Sequence, residues 1–244
     1  MKFIFIIKNL LKYIKRGGVT YTNIDTIGSN ELLKGKTALI TGGSSGIGLA
    51  IAKKYLKSGA NILITGRNEN KLIKAKELLS HYLQNRESKI EYLVWDVKDI
   101  SLTEIKFNDS LKMFPCIDIF VNNAGIFKTE PILQTTEETW NDILDINLKG
   151  LYFLLQHEIS YLIKNKIAGH IINISSMDGI MLKTNPYSVA KNGVNYLTRT
   201  FAKNVANHQI TINAIAPGAI LTDINLDFKN KMNGDNDFFL RSLS

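Results

Sequence analysis

A single cysteine, Cys116, among 244 residues excludes an intramolecular disulfide framework and a cysteine-based metal cluster, and it fits a reducing compartment. It sits in FPCIDIF and reads as a small buried hydrophobe. The four histidines, His81, His157, His170 and His208, are scattered without ligand spacing, so no metal site is expected. No apolar run approaches the length of a membrane span. Internal repeats and low-complexity tracts are also missing. What is present is a 45% hydrophobic composition, enough to bury the core of one large domain.

Acids are missing from one end. No Asp or Glu precedes Asp25, while residues 1–24 carry Lys2, Lys8, Lys12, Lys15 and Arg16, five of the eight excess positive charges. The other 220 residues hold 25 basic and 22 acidic side chains, a balance that argues against a nucleic-acid partner. Within the leader, Phe3, Ile7, Leu10, Leu11 and Ile14 recur at helical spacing opposite Lys8, Lys12 and Lys15, and Gly17 and Gly18 end the pattern. Lys8 interrupts the apolar stretch, so a secretory signal is not expected. Three readings stay open: peripheral membrane contact through residues 1–16, packing on the domain or a partner, and an organelle presequence. The division expected is a leader and linker over 1–34 and one domain over 35–244, with the protein in the cytoplasm or peripheral at a membrane.

From Lys36 onward, short β-branched runs alternate with longer helical ones. The strands expected are 37–41, 61–65, 89–94, 117–123, 170–175 and 210–216, and helices begin near Gly46, Glu69, Ser101, Thr136 and Pro186. This order predicts an α/β fold, a Rossmann-like doubly wound parallel sheet in three α/β/α layers. The longest helix, about 136–164, carries the cluster Leu151 to Leu155 and is expected to pack on another subunit as well as the sheet.

After the first strand comes TGGSSGIG, a glycine-rich turn that opens a helix. Gly42 suits the tight turn, Gly46 the approach of a pyrophosphate, and Gly48 the packing of helix on strand, with the helix N-terminus supplying amides to the phosphates. A dinucleotide site of this kind carries an acid at the end of the second strand for the ribose hydroxyls, or a basic residue for a 2′-phosphate. NILITGRNEN places Arg67 there and no acid before Glu69, which favours NADP(H), with NAD(H) the alternative.

Six motifs in register resemble the short-chain dehydrogenase/reductase family over residues 35–224: TGGSSGIG at 41–48, NNAG at 122–125, Asn147 in DINLKG, ISS at 174–176, YSVAK at 187–191 and APG at 216–218. The resemblance implies hydride transfer between a nicotinamide and a ketone or secondary alcohol, of the 3-oxoacyl reductase type among others. Such a transfer needs a proton for the developing alkoxide, and Tyr187 is the candidate acid. Lys191, four residues on along the same helical face, is expected to lower the phenol's pKa and reach the cofactor ribose. Ser176 would bond the substrate oxygen, and the resemblance gives Asn147 a water that links Lys191 to solvent. It also implies cofactor contacts at Ser44, Ser45, Ile47, Asp96, Val97, Asn123, Ala124, Gly125, Pro217, Gly218, Ile220 and Thr222, besides Gly42, Gly46, Gly48, Arg67, Tyr187 and Lys191. Homo-oligomers would form through the helices at about 136–164 and 186–207.

Two departures stand out. Ser176 and Tyr187 lie 11 positions apart, a short loop that makes neighbouring Ser175 the fallback serine. After Gly218 only 26 residues remain, with no further β-branched run, so the family's last strand is expected to be missing and 210–216 to form a sheet edge. The alternative function is therefore a truncated, non-catalytic dinucleotide-binding protein held at a membrane or partner by its leader.

Overall fold

TALIT and NILIT are β-branched, apolar on both faces and bounded by turn residues, the pattern of strands covered on both sides. In the computed structural model, which describes residues 31–83, 88–128 and 130–220, they form β1 (Thr37–Thr41) and β2 (Asn61–Gly66). The other strands are β3 (Ile90–Val94), β4 (Ile119–Asn122), β5 (His170–Ile174) and β6 (Thr211–Ile215). All pair in parallel in the order β3-β2-β1-β4-β5-β6. The order reverses between β1 and β4, the switch point where α/β sheets of this kind bind ligands.

Alternate residues feed two cores. Leu39, Leu63, Phe120 and Ile171 face one side; Ala38, Ile40, Ile62, Ile64 and Val121 face the other. Helices α1 (Gly46–Lys57) and α2 (Glu69–Ser80) cover the second side through Ala52, Leu56, Leu72 and Leu79. On the first side lie α3 (Thr103–Met113), α4 (Glu137–Leu144), α5 (Gly150–Lys164) and α6 (Pro186–Val205), whose Phe107, Leu154, Leu155 and Val194 are buried there. The doubly wound, three-layer architecture is as the sequence predicts.

Local chemistry sets the helix starts. Asn68, Thr136 and Asn185 accept from the backbone N–H of Lys71, Thr139 and Ser188, and Pro186 occupies the first turn of α6. Each such cap is worth about 1 kcal/mol. At the other end of the sheet, Asp118 takes the Lys36 ammonium at 2.8 Å and the Thr37 amide at 3.0 Å, pinning β1 beside β4.

Two expectations are corrected. The long helix expected over 136–164 is interrupted by a π-turn, Asp145–Lys149, between α4 and α5. There α5 meets the loop after β3 so closely that a Cβ on Gly150 would stand 2.3 Å from the Val97 carbonyl oxygen. Cys116 is exposed, because its neighbours Phe114 and Ile117 take the core positions of that loop. Among the described residues β6 has one partner, β5, and only Ile212 of its five residues is buried. The leader, its membrane contact, Thr222 and the segment after Ile220 lie outside the described residues. Among those described, no helix is long and apolar enough to cross a membrane.

Candidate active site at the carboxyl ends of the strands

The β1–α1 turn is shaped by its glycines. Gly42 has φ +65° and Gly46 φ +54°, both in the left-handed region open to glycine. A Cβ on Gly48 would stand 2.5 Å from the Gly42 carbonyl oxygen, so only glycine lets α1 start this close to the strand. Gly43, for which the motif alone suggests no role, is fixed the same way: its Cβ would meet Ile64 of β2 at 2.6 Å. Ser45 caps α1 without a side-chain hydrogen bond, so its hydroxyl does not occupy the first-turn amides.

NNAG locks this turn from the neighbouring strand. The Asn123 amide Nδ2 donates to the carbonyls of Thr41 (3.0 Å) and Gly42 (3.1 Å). In return the Thr41 hydroxyl accepts from the backbone N–H of Asn123 and Ala124, both at 3.0 Å. Thr41 therefore positions the site, although within TGGSSGIG nothing in the sequence sets it apart. Arg67 lies exposed just past β2, and the Ser44 hydroxyl lies 3.6 Å from where a Gly66 Cβ would be. Glycine cradle, helix start and basic rim together fit a dinucleotide with its phosphates at α1. Asp96 accepts from the Lys98 amide at 3.0 Å, and buried Val97 lines the floor of the site.

Ser176 and Tyr187 come together. The Ser176 hydroxyl lies close enough to the Tyr187 phenol to act on its titration, and the Phe127 ring meets the Tyr187 ring edge-on at 4.9 Å between centroids. The short loop between them is drawn in tightly, since a Cβ on Gly179 would lie 2.6 Å from the Lys191 backbone. Ser175, the fallback, is instead buried and donates to the Lys191 carbonyl at 3.2 Å, a packing role. Burial pushes the Tyr187 phenol up; the neighbouring Ser176 hydroxyl opposes this, and the charge of Asp178 adds to it.

Lys191 departs from expectation. Its ammonium, buried and 5.6 Å from the Tyr187 ring centre, donates to the Ile174 carbonyl at 2.8 Å and is not among the groups that shift the phenol. Desolvation brings its own pKa down to about 8. Asn147 is buried in the π-turn, its Nδ2 donating to the carbonyls of Ile126 (2.9 Å) and Ile143 (3.1 Å) and its Oδ1 accepting from the Ile126 amide. Both amide hydrogens are spent, so a water held by this side chain would have to bind Oδ1. Gly125 fits between the two residues, because its Cβ would meet Asn147 Oδ1 at 2.5 Å and Lys191 Nζ at 3.7 Å. A cavity of about 10 Å³ beside them, lined by Thr41, Val97, Asn122, Ala124, Asn147 and Lys191, is the size of one water.

At the edge strand the Pro217 carbonyl accepts from the Met177 amide at 3.0 Å, tying the exit of β6 to the serine turn. Gly218 has open space around it, and Ile220 is exposed.

The profile of the short chain dehydrogenase family matches residues 36–233. The 3-oxoacyl-[acyl-carrier-protein] reductase FabG of Chlamydia muridarum is 36% identical over 199 residues, 80% of this chain and 78% of that protein. Glucose 1-dehydrogenase 2 of Bacillus subtilis is 33% identical over 202 residues, 82% of this chain and 77% of that protein. Among solved structures, an actinorhodin polyketide ketoreductase variant with NADPH superposes with a TM-score of 0.75 at 26% identity, over 82% of this chain and 76% of that one.

Proposed function

Since this chain belongs to the short-chain dehydrogenase/reductase family, and so is an oxidoreductase of CH–OH and C=O groups, we propose that it reduces the ketone of a 3-oxoacyl thioester with NADPH. The observation that carries the reading is the juxtaposition of Ser176 and Tyr187 beside Lys191, at the strand ends and one strand away from the glycine turn. NADPH, held at the glycine turn and by Arg67, would supply the hydride. Tyr187 gives its phenolic proton to the oxygen that becomes the alcohol, and Ser176 donates a hydrogen bond to the same oxygen. A phenol pushed up by burial stays protonated at neutral pH, which suits reduction better than oxidation. Lys191 is the proton-bearing group behind Tyr187, and Asn147 holds the Gly125–Ile126 backbone against it.

Arg67 supports NADPH through its fork for a 2′-phosphate. The acyl substrate is favoured over a sugar by the exposed apolar run Ile180, Met181 and Leu182 between Ser176 and Tyr187. A second copy of the chain fits the groove of about 400 Å³ lined by Leu148, Tyr152, Phe153, Tyr196 and Leu197 on α5 and α6. The single cysteine supports a cytoplasmic site of action.

The test is NADPH oxidation with a 3-oxoacyl thioester, wild type against Tyr187→Phe. Turnover is expected to vanish in the variant while NADPH still raises its melting temperature. An unchanged rate in the variant refutes the assigned acid, and NADPH binding without turnover on any carbonyl refutes the activity.

A further inference from the structure

In the run LYFLLQHEISYL, Glu158 falls on the same stripe as Leu151, Leu154, Leu155 and Leu162, and like them it is buried, with no exposure at all. A carboxyl there must find partners. Asn122 of β4 donates Nδ2 to Glu158 Oε2 at 3.0 Å and to Asn173 Oδ1 of β5 at 3.0 Å; Asn173 donates in turn to the Thr198 hydroxyl of α6 at 3.0 Å. Two buried atoms of this chain of bonds lack partners, Asn122 Oδ1 and Glu158 Oε1, and they belong to the two groups that already face each other. A carboxylate has no donor, so both acceptors would stay unpaired in an apolar core. A carboxylic acid has one donor.

We infer that Glu158 is a neutral acid in the folded protein, its hydroxyl donating to Asn122 Oδ1 in a two-bond acid–amide pair, and that it acts as a positioning residue for the site above it. Burial holds its proton until about pH 8, opposed only by the Asn122 bond. No charged or titratable side chain of β4, β5 or α6 among the described residues shifts it; Lys191, the buried cation of α6, is engaged with the Ile174 carbonyl. The pair fixes Asn122, whose neighbour Asn123 clamps the glycine turn, and Asn173, whose neighbour Ile174 offers the carbonyl that holds Lys191. This positioning role rests on the proposed reaction; the neutral acid does not.

The experiment compares wild type with Glu158→Gln, whose amide keeps one donor and one acceptor, and with Glu158→Leu, which leaves Asn122 alone. At neutral pH, wild type should show the infrared carbonyl band of a buried neutral acid, and Glu158→Gln should lack it. The unfolded chain releases this proton near 4.5 and the folded one near 8, so between these values the native state binds more protons and wild-type stability falls as pH rises. Glu158→Gln should lose that fall. Glu158→Leu should raise the KM for NADPH by about threefold or more, with Glu158→Gln within about twofold of wild type. A missing acid band, or melting curves of wild type and Glu158→Gln that track each other with pH, overturns the neutral acid. Equal KM values in all three proteins overturn the positioning role. Absence of turnover in all three would instead count against the proposed reaction, leaving the infrared and melting results to decide on Glu158.

Discussion

Replacing Lys191 with methionine should destroy activity and stabilise the fold. Lys191 is 5% exposed, desolvation dominates its shift, and its pKa drops from 10.5 to about 8. At about 1.4 kcal/mol per pH unit, carrying this cation in the core costs roughly 3 kcal/mol at neutral pH. Methionine has a similar length and no charge, but it leaves the Ile174 carbonyl without its 2.8 Å donor, a loss of about 1–2 kcal/mol. The net gain is about 1–2 kcal/mol, or a Tm higher by about 2–6 °C for a domain of this size. The gain also has a pH signature. Because the folded pKa lies below the unfolded one, the unfolded chain binds more protons between about 8 and 10.5, and wild type gains stability as pH rises through that window. Lys191→Met lacks this response, so the gap between the two melting temperatures should close by about pH 10. Thermal melts monitored by circular dichroism at neutral and alkaline pH measure both effects. A variant that melts below wild type at pH 7, or a gap that stays constant with pH, refutes the reasoning.

Arg67→Ala should raise the KM for NADPH by about tenfold and leave that for NADH nearly unchanged, since one charge-assisted contact to a 2′-phosphate is worth about 1.5 kcal/mol; equal changes in both, in steady-state kinetics, would remove Arg67 from the phosphate site. Gly48→Ala forces the Gly42 carbonyl away from a Cβ at 2.5 Å, so NADPH affinity should fall and stability should drop by about 1–3 kcal/mol, read by calorimetry and urea unfolding. Normal affinity in that variant would show that the turn can move without harm.

Much of this arrangement is legible in the chain. The strands declare themselves because each is a short β-branched run between turn residues, and β1 falls at 37–41 as expected. Thr136 and Pro186 mark helix starts because capping is local chemistry. The features that escape the sequence depend on partners far along the chain. Asn147 and Lys191 are visible as motif residues, yet the saturated amide of one and the depressed pKa of the other arise from Ile126, Ile174 and burial. Cys116 shows the same limit, because which residue of a loop turns inward is decided by what Phe114 and Ile117 pack against. Glu158 is legible by contrast, since the helical count alone sets this acid on the apolar stripe of Leu151 and Leu155.

The π-turn at Asp145–Lys149 acts as a phase adjuster for everything beyond it. One residue more or fewer in a helix turns the downstream residues by about 100° around its axis. A regular α-helix through this segment would rotate α5 by that angle, carrying Leu154 and Leu155 off the sheet and swinging Glu158 away from Asn122. The azimuth of α5, and with it every contact between that helix and the strands, is therefore set by a single extra residue beside Asn147.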